Sequence, residues 1–376
     1  MMTDEVRVTQ EALKAFCRQV FRTLRLAEED ADTAADVLVA ADMRGIPSHG
    51  VARLPRYVRG LRSGLMCADV SPEVVLETPS SLVIDARGAM GAPVSARTMR
   101  QVITKAREVG AAFGCVRDSN HFGIAGYYAM LALDPALTEM DMIGLAMTNT
   151  AALGVPTFGR DPMFGTNPLA FAAPADEERA FVLDMATTVV TRGKVEVYGR
   201  RRARLPEGWA VDETGQPATD PEHVLHNLTY QIGGGIVPLG GLGERFGGHK
   251  GYGLAVMVDI LCGVLSGAAF GADISDEPGS TARVSHFFGA LRVDTFREPQ
   301  AFRQDMDRLL CSLRSLPPAA GEARVYFAGL KEFEYAAACR RDGIPLPRKV
   351  YDQLMETGAA CDVPLPAVRT VGGANC

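Results

Sequence analysis

The segment ADMRGIPSHGVARLPRY (41–57) gathers four polar side chains around one predicted turn. Ser48, His49, Arg53 and Tyr57 supply a hydroxyl, an imidazole, a guanidinium and a phenol. Arginine can bind a carboxylate through two parallel hydrogen bonds, which lysine cannot imitate, and the amides of a helix start donate to the same anion. We therefore predict a binding site for a small anion. The alternative is an ordinary helix start that Ser48 caps, with a surface Arg53.

Two further polar residues follow predicted strands, where functional sites are usually built. His121 stands between a strand and a glycine-containing helix in RDSNHFGIAGYY. Its ordinary pKa of about 6.5 suits proton exchange at neutral pH, although a structural histidine is the alternative. Asp184 ends the apolar strand in FVLDMAT. We expect Asp184 either to orient the His121 imidazole and stabilise its charged form, or to cap a helix.

The segment GGLGERFGGHKGYG (240–253) is rich in glycine and contains Lys250. Glycine lets a backbone approach a ligand closely, and Lys250 can meet phosphate charge at the following helix start. The segment is not a P-loop, because Gly251 follows the lysine where Ser or Thr is required. It is not a GxGxxG motif either, since Phe246 stands where the third glycine belongs. Spacing alone does not name the ligand.

Composition limits the class of protein. The chain has 376 residues, of which 47% are hydrophobic and 22% charged, and its formal net charge is −6. This composition predicts a globular protein of two domains, or one large one, and argues against nucleic acid as a partner. The apolar run 251–272 carries Asp259 in its middle. A carboxylate there is costly in lipid, so the run predicts a buried core helix and no membrane span.

Cysteine and histidine spacing predicts neither disulfides nor a metal site. No two of the eight cysteines lie at metal-ligand spacing, and we expect reduced, mostly buried thiols in a cytoplasmic protein. The N-terminus lacks the apolar core of a signal peptide. His223 and His226 fall in a Pro- and Asp-rich stretch without zinc partners, which predicts a solvated loop.

The pattern of apolar residues predicts a mixed α/β fold. Helices fill the first 65 residues, with Thr9 as N-cap of the first and Gly45 after the end of the second. Short strands and helices then alternate without the spacing of a doubly wound sheet, and ARVYFAGL (323–330) is predicted as a late strand. We expect a sheet core and a helical lobe built from both chain ends.

We place the domain boundaries accordingly. Residues 1–75 form the predicted N-terminal helical lobe, which the C-terminal helical region 297–376 joins. Residues 76–296 form the predicted sheet domain, which would bind the cofactor.

An ordered series of segments resembles one known family. The segments are RGIPSHGVARLPRYVRGL, DSNHFGIAGYYA, MTNTAA, GTNPLAFAAPA, FVLDMATTVVTRGK, PEGWAVDETGQPATDP and GGHKGYGLAVMVDIL. Together they resemble the malate/L-lactate/sulfolactate dehydrogenases, which are NAD(P)-dependent 2-oxo-acid reductases that lack a Rossmann fold. The resemblance covers nearly the whole chain, and it accounts for the missing GxGxxG motif.

The resemblance implies a role for each candidate residue. His121 matches the family's proton donor and acceptor, and Asp184 matches an aspartate near the cofactor and that histidine. Ser48, His49, Arg53 and Tyr57 match the substrate side. Residues expected to touch NAD or NADP are Thr150, Asn167, Asp184, Met185, Ala186, Lys250 and Gly329. The resemblance implies a homodimer whose partners are small 2-oxo or 2-hydroxy acids, with no metal.

One segment departs from the family. A Pro-Gly-Glu-like turn often contacts the cofactor near the C-terminal strand, and this chain has FAGLKE there, which keeps only Gly329.

Other activities fit the same residues. A relative within the family could reduce a cyclic imine carboxylate, or oxidise ureidoglycolate or a keto sugar acid. A phosphate-binding transferase would use GGHKGYG around ATP, but Lys250 lacks a following Ser or Thr. A metabolite-binding subunit without catalysis is the third alternative, against which His121, Asp184 and Arg53 count together.

Overall fold

The computed structural model describes residues 5–274 and 282–365. The helices are α1 (Gln10–Thr23), α2 (Glu28–Met43), α3 (Leu54–Ser63), α4 (Gly91–Val109), α5 (Ala125–Leu131), α6 (Pro135–Thr138), α7 (Arg192–Arg200), α8 (Pro221–Tyr230), α9 (Gly248–Asp259), α10 (Pro299–Arg314), α11 (Leu330–Asp342) and α12 (Arg348–Ala359). The strands are β1 (Glu5–Val8), β2 (Glu73–Glu77), β3 (Ser81–Asp85), β4 (Ala111–Ser119), β5 (Met142–Thr148), β6 (Leu169–Ala173), β7 (Phe181–Met185), β8 (Ala210–Val211), β9 (Gly235–Ile236), β10 (Val284–Arg292) and β11 (Ile344–Pro347).

A seven-stranded sheet in the order β2-β3-β4-β10-β5-β6-β7 forms the centre. Only β3 and β4 run parallel, and the other neighbours are antiparallel. A Rossmann sheet is parallel, so the predicted mixed, non-Rossmann fold is confirmed. Val284 of β10 pairs with Ser119, and His286 pairs with Thr148. The carboxyl ends of β4 and β5 therefore meet at the start of β10, which brings the loops after both strands to one edge.

Two large apolar clusters hold the chain together. One joins helices from both chain ends, and its members include Leu13, Leu38 and Leu354. The other lies between α4, α5 and the sheet, and Tyr128 and Phe288 belong to it. Helix α10 packs elsewhere: its Leu310 meets Phe327 and Leu330 beside Phe181 of β7. The domain boundaries remain a prediction.

Of three predicted residues at helix ends, two are confirmed and one is wrong. The Thr9 hydroxyl accepts a hydrogen bond from the amide of Ala12, and Gly45 follows α2 with φ of 72°, as predicted. The expectation that Ser48 caps the third helix is wrong. A 3₁₀ turn (Val51–Arg53) precedes α3, and the Asp42 carboxylate accepts the Val51 amide proton at 2.7 Å. The capping oxygen thus comes from α2.

The apolar run 251–272 is only partly buried. Helix α9 passes into a π-helical turn (Ile260–Val264). Val258 and Cys262 are buried, but Ile260, Val264 and Leu265 are 50%, 52% and 58% exposed. The prediction of a buried core helix is therefore wrong for one face. Within residues 5–274 and 282–365, no helix has the length and apolar character needed to cross a membrane.

Two local predictions need correction. ARVYFAGL is not a strand, because it forms only one hydrogen bond with the edge strand β7, from the Val182 amide to the Ala328 carbonyl at 3.1 Å. His223 and His226 lie on α8 rather than in a loop, and His223 Nε2 is 2.9 Å from a carboxylate oxygen of Glu213.

The cysteines of the described ranges are free thiols, and five of them are buried. Cys311 is exposed, and Cys376 lies outside the described residues.

Candidate active site

A cavity of about 670 Å³ opens where the loops after β4 and β5 meet the turn before α3. This volume is that of a typical small-molecule site. The candidate residues that line it are Ser48, His49, Arg53, His121 and Thr150. The candidate residues outside its lining are Tyr57, Asn167, Asp184, Met185, Ala186, Lys250 and Gly329.

The His121 imidazole is held by two groups at the same nitrogen. The Tyr57 hydroxyl is 2.6 Å from Nδ1, and the Gly123 amide donates to Nδ1 at 3.3 Å. A nitrogen that accepts an amide proton carries none itself, so the neutral ring has its proton on Nε2. Tyr57 is buried under the site and acts on His121 rather than lining the cavity.

The turn before α3 is rigidly tied to this histidine. Arg53 Nε donates to the Ser48 carbonyl at 2.6 Å, which holds the turn closed. Ser48 Oγ is 2.9 Å from His49 Nδ1, and the His49 ring stacks on His121 with centroids 5.4 Å apart. The predicted cluster of residues 48–57 and His121 thus forms one wall.

Burial and positive charge keep both imidazoles neutral in the unliganded protein. Desolvation lowers the pKa of His121 well below its usual value, and His49, Arg56 and Arg53 lower it further. Burial also lowers the pKa of His49 to about 4, with Arg53 and Arg56 acting in the same direction. Burial raises the pKa of Tyr57 to about 12, so that its phenol keeps its proton.

Arg56 and Arg192, which no sequence motif indicated, also line the cavity. They join Arg53, and Glu196 is the one carboxylate among the lining residues that belong to the described ranges. Glu196 lies 3.4 Å from Arg192 and partly neutralises it. Arg53 and Arg56 are three residues apart, a spacing that puts two side chains on one face of a helix. That spacing was the available signal for Arg56.

Asp184 contacts a different group from the one expected. Its Oδ2 accepts the amide proton of Gly126 at 2.8 Å, in the first turn of α5. Burial raises the pKa of Asp184 to about 6, against the Gly126 hydrogen bond and the charge of Arg44. The capping alternative therefore describes this contact, although the capped helix is the one that follows His121. The hydrogen bonds of His121 go to Tyr57 and Gly123.

A chain of hydrogen bonds joins the loops expected to hold the cofactor. Asn167 is fully buried with φ of 34°; its Oδ1 accepts from the Thr150 amide, and its Nδ2 donates to the Ala255 carbonyl. The Thr187 hydroxyl donates to the carbonyls of Thr166 and Asn167. Asn167 thus fixes the loop that presents Thr150.

The start of α9 joins the same group of loops. The Leu239 amide donates to the Thr187 carbonyl at 2.8 Å, next to Met185 and Ala186. A Cβ on Gly251 would lie 2.2 Å from the Leu239 carbonyl oxygen, so only glycine allows this approach. The exposed first turn with Lys250 therefore lies beside the segment that follows β7.

The local backbone and a neighbouring strand account for glycine at position 329. With φ of 95° it precedes α11, and a Cβ there would lie 3.0 Å from Val182 of β7.

The cavity fits a dinucleotide better than a metal. Thr148, Thr150, Thr166 and Thr191 are among the residues that line it, and Gly193 leaves its edge without a side chain. Such a surface offers hydrogen bonds to ribose and amide groups, whereas no group of three or more His, Cys, Asp and Glu in residues 5–274 and 282–365 could hold a metal ion.

Residues 191–193, Glu196 and residues 228–231 also line the cavity. They belong to a separate small cluster around α7 and α8, whose core includes Val195 and Leu228. No local motif marked them, because their contact with the site depends on long-range folding.

Comparisons with known proteins agree with this architecture. Residues 8–355 match the family model described as malate/L-lactate dehydrogenase. Malate dehydrogenase of Pyrococcus abyssi is 40% identical over 351 residues, 93% of this chain and 94% of the relative. L-sulfolactate dehydrogenase of Methanocaldococcus jannaschii is 35% identical over 339 residues, 90% of this chain and 92% of the relative. The crystal structure of malate dehydrogenase from Entamoeba histolytica superposes with a TM-score of 0.91 at 33% identity, covering 96% of this chain and 100% of that one. The chain therefore belongs to the malate/L-lactate dehydrogenase family and is an NAD(P)-dependent oxidoreductase.

Proposed function

We propose that the enzyme transfers a hydride between NAD(P)H and a small 2-oxo acid that carries two anionic groups, giving the 2-hydroxy acid. The observation that supports this most directly is His121, held at Nδ1 by Tyr57 beside the cationic pair Arg53 and Arg56 in one cavity.

Each residue has a separate task in this reaction. Bound NAD(P)H supplies the hydride that becomes the hydrogen on C2. Arg53 and Arg56 bind the anionic groups of the substrate and fix its orientation. Protonated His121 gives the proton on Nε2 to the C2 oxygen and becomes neutral, with its remaining proton on Nδ1. In oxidation, Nε2 of this Nδ1–H tautomer takes the proton from the C2 hydroxyl. General acid–base help of this kind is worth about 10²–10⁴-fold in rate.

Tyr57 supports both protonation states of His121. When the ring is neutral with its proton on Nε2, the phenol donates to Nδ1 at 2.6 Å. When both nitrogens are protonated, or when Nε2 is the base, the hydroxyl rotates and accepts from Nδ1–H. The ring therefore stays in place while its charge changes. A bound dianion also offsets the positive charge of Arg53 and Arg56, which raises the share of protonated His121.

Charge in the cavity favours a dianionic substrate over a monocarboxylate. Arg53, Arg56 and Arg192 all line the cavity, so more than one guanidinium is within reach of a small substrate. A second anionic group on the substrate can bind a second guanidinium, which a methyl group or an imine ring cannot.

The remaining assignments belong to the same proposal. His49 and Ser48 complete the substrate wall, and Asp184 orders the helix start after His121. The NAD or NADP site is formed by Thr150, Met185, Ala186 and Lys250, with Asn167 and Gly329 in supporting positions. We also propose a cytoplasmic homodimer, with the division into a sheet domain and a helical lobe given above. The exposed apolar residues Ile260, Val264 and Leu265 support the second copy.

A substrate panel tests the proposal. NADH and NADPH oxidation is followed with oxaloacetate, sulfopyruvate, pyruvate and a cyclic imine acid, and the reverse reaction with ureidoglycolate and a keto-sugar-acid precursor. We expect kcat/KM for the dianions to exceed that for pyruvate by at least about tenfold. A higher kcat/KM for pyruvate, the imine acid or ureidoglycolate than for the dianions would refute the dianion preference and identify that compound as the better substrate.

Two simpler measurements test whether the protein is instead a transferase or a metabolite-binding subunit. Thermal stabilisation by ATP–Mg²⁺ but not by NADH would favour a transferase. Binding of NADH without turnover of any acid would favour a metabolite-binding subunit.

A further inference from the structure

His286 is a buried histidine that the proposed reaction does not use. It lies in β10 between Ser119, the last residue of β4, and Thr148, the last residue of β5, and it is 0% exposed. Its Nδ1 is 2.8 Å from Thr148 Oγ1, and its Nε2 is 2.9 Å from Ser119 Oγ. Both ring nitrogens therefore have partners, as burial requires.

The partners of Thr148 determine which nitrogen carries the proton. The Thr148 hydroxyl donates to the carbonyls of Asn149 and Ser285, at 2.9 and 3.0 Å. A hydroxyl has one proton, so while Thr148 donates to either carbonyl its oxygen accepts from Nδ1–H of His286. In the neutral ring, Nε2 then accepts the Ser119 hydroxyl proton. Burial lowers the pKa of His286 to about 3, so the ring stays neutral.

The ring also supports the residue next to His121. His286 stacks on Phe122 with centroids 4.6 Å apart and planes 7° apart. Phe122 is held further by Tyr128, whose ring stacks at 4.7 Å and whose hydroxyl donates to the Phe122 carbonyl. Phe122 and Thr148 both line the cavity, whereas His286 lies behind them. One imidazole thus connects both walls of the site without reaching a ligand.

We propose that His286 is a positioning residue for His121. Its Nδ1–H tautomer ties the end of β5 to the end of β4, and its ring supports Phe122, so that the His121 imidazole keeps one orientation toward the cavity. The proposal rests on the proposed function. A displacement of about 1 Å at a reacting group costs about 10²-fold in rate, which sets the scale of the effect.

Two substitutions separate positioning from general stability. His286→Leu removes both hydrogen bonds and the stacked ring, whereas the amide of His286→Gln can donate to Thr148 and accept from Ser119. We expect His286→Leu to lower kcat about 10–100-fold, with KM for the oxo acid and Kd for NADH within about twofold of wild type. The solvent deuterium isotope effect on kcat should rise. His286→Gln should recover kcat to within about fivefold.

His226→Gln is the matched control, because His226 is exposed on α8. It should leave kcat, KM, the Kd for NADH and the solvent isotope effect unchanged. The proposal is overturned if His286→Leu loses stability while kcat stays at the wild-type value, or if kcat and NADH affinity fall together. Should His286→Leu not fold, Ser119→Ala removes only the donor to Nε2. It should lower kcat about 3–10-fold at constant KM, and an unchanged kcat would overturn the proposal.

A wild-type enzyme that turns over no 2-oxo acid would refute the proposed function instead. Nitrogen NMR of protein labelled at its six histidines then decides the structural part. A proton on Nδ1 of His286 at pH 7 supports the assignment, and a proton on Nε2 overturns it.

Discussion

The protonation of His121 is governed by its surroundings more than by its own chemistry. The walls desolvate the ring, and His49, Arg56 and Arg53 add positive charge, all of which lower its pKa well below the usual value. The unliganded enzyme therefore holds a neutral imidazole at neutral pH, and the protonated imidazole forms only as the pH falls or an anion binds.

This gives opposite pH profiles for the two directions. For oxidation of the hydroxy acid, kcat/KM should show no loss from His121 between pH 8 and 6.5, because the neutral ring predominates. For reduction, kcat/KM should rise about tenfold per pH unit as the pH falls through 7, because the protonated share grows. Steady-state kinetics from pH 5.5 to 8.5 measures both.

Asp184 has a pKa raised to about 6 by burial and titrates in the same window. Asp184→Asn removes this second titrating group. The rise of kcat/KM for reduction with falling pH should persist in that variant if it comes from His121. If kcat/KM for reduction reached a plateau already above pH 7, the proton donor would have a raised pKa, which contradicts the lowered pKa of His121.

Arg56 should set the preference for a dianion. Arg56→Met removes one guanidinium from the cavity, so kcat/KM for oxaloacetate should fall by about 10²-fold while that for pyruvate changes by less than about threefold. Arg59→Met is the control, because Arg59 is exposed on the same helix. Equal losses for both acids would show that Arg56 does not discriminate between them.

At the scale of elements, the turn before α3 depends on a contact between two distant helix ends. The Asp42 carboxylate accepts the Val51 amide proton, and a Cβ on Gly50 would lie 2.1 Å from Asp42 Oδ1. Gly50 has φ of −84°, which alanine also adopts, so substitution there tests the contact rather than backbone strain.

Gly50→Ala should therefore destabilise the protein by about 1–3 kcal/mol and raise KM for the oxo acid, because the displaced carboxylate releases Val51. In an Asp42→Ala background the same change should cost less than about 0.5 kcal/mol. Urea unfolding of the four proteins measures both values. Additive losses would mean that the two residues do not interact.

Sequence patterns predicted the elements better than the contacts between them. The apolar pattern that correctly predicted the strands before His121 and at Asp184 also predicted a strand at 323–330, where β7 offers only one hydrogen bond. Residues 48–57 could be predicted as a cluster because they are neighbours in sequence. The link from Tyr57 to His121 and that from Asp184 to Gly126 could not, since 64 and 58 residues separate the partners.

At the scale of the whole molecule, the apolar surface that follows α9 is uncovered in the single chain. Ile260, Val264 and Leu265 are each at least half exposed at the end of α9. An exposed apolar patch of this kind marks a contact with another protein surface, and the proposed homodimer would bury it.

Val264→Glu should then convert the dimer into a monomer, because a carboxylate buried in an interface lacks a partner. Leu309→Glu is the matched control: Leu309 is 54% exposed on α10, away from this patch, and the variant should remain dimeric. Sedimentation velocity measures both. A monomeric wild type, or an unchanged Val264→Glu dimer, would exclude this surface as the interface.

The most direct measurement is single-turnover reduction of oxaloacetate by His121→Gln, compared with wild type and His226→Gln. We expect the rate to fall about 10²–10⁴-fold in His121→Gln, with the Kd for NADH, from fluorescence titration, within about twofold of wild type. His121→Gln that reduces the oxo acid at the wild-type rate would contradict the assignment of His121 as the group that moves the proton.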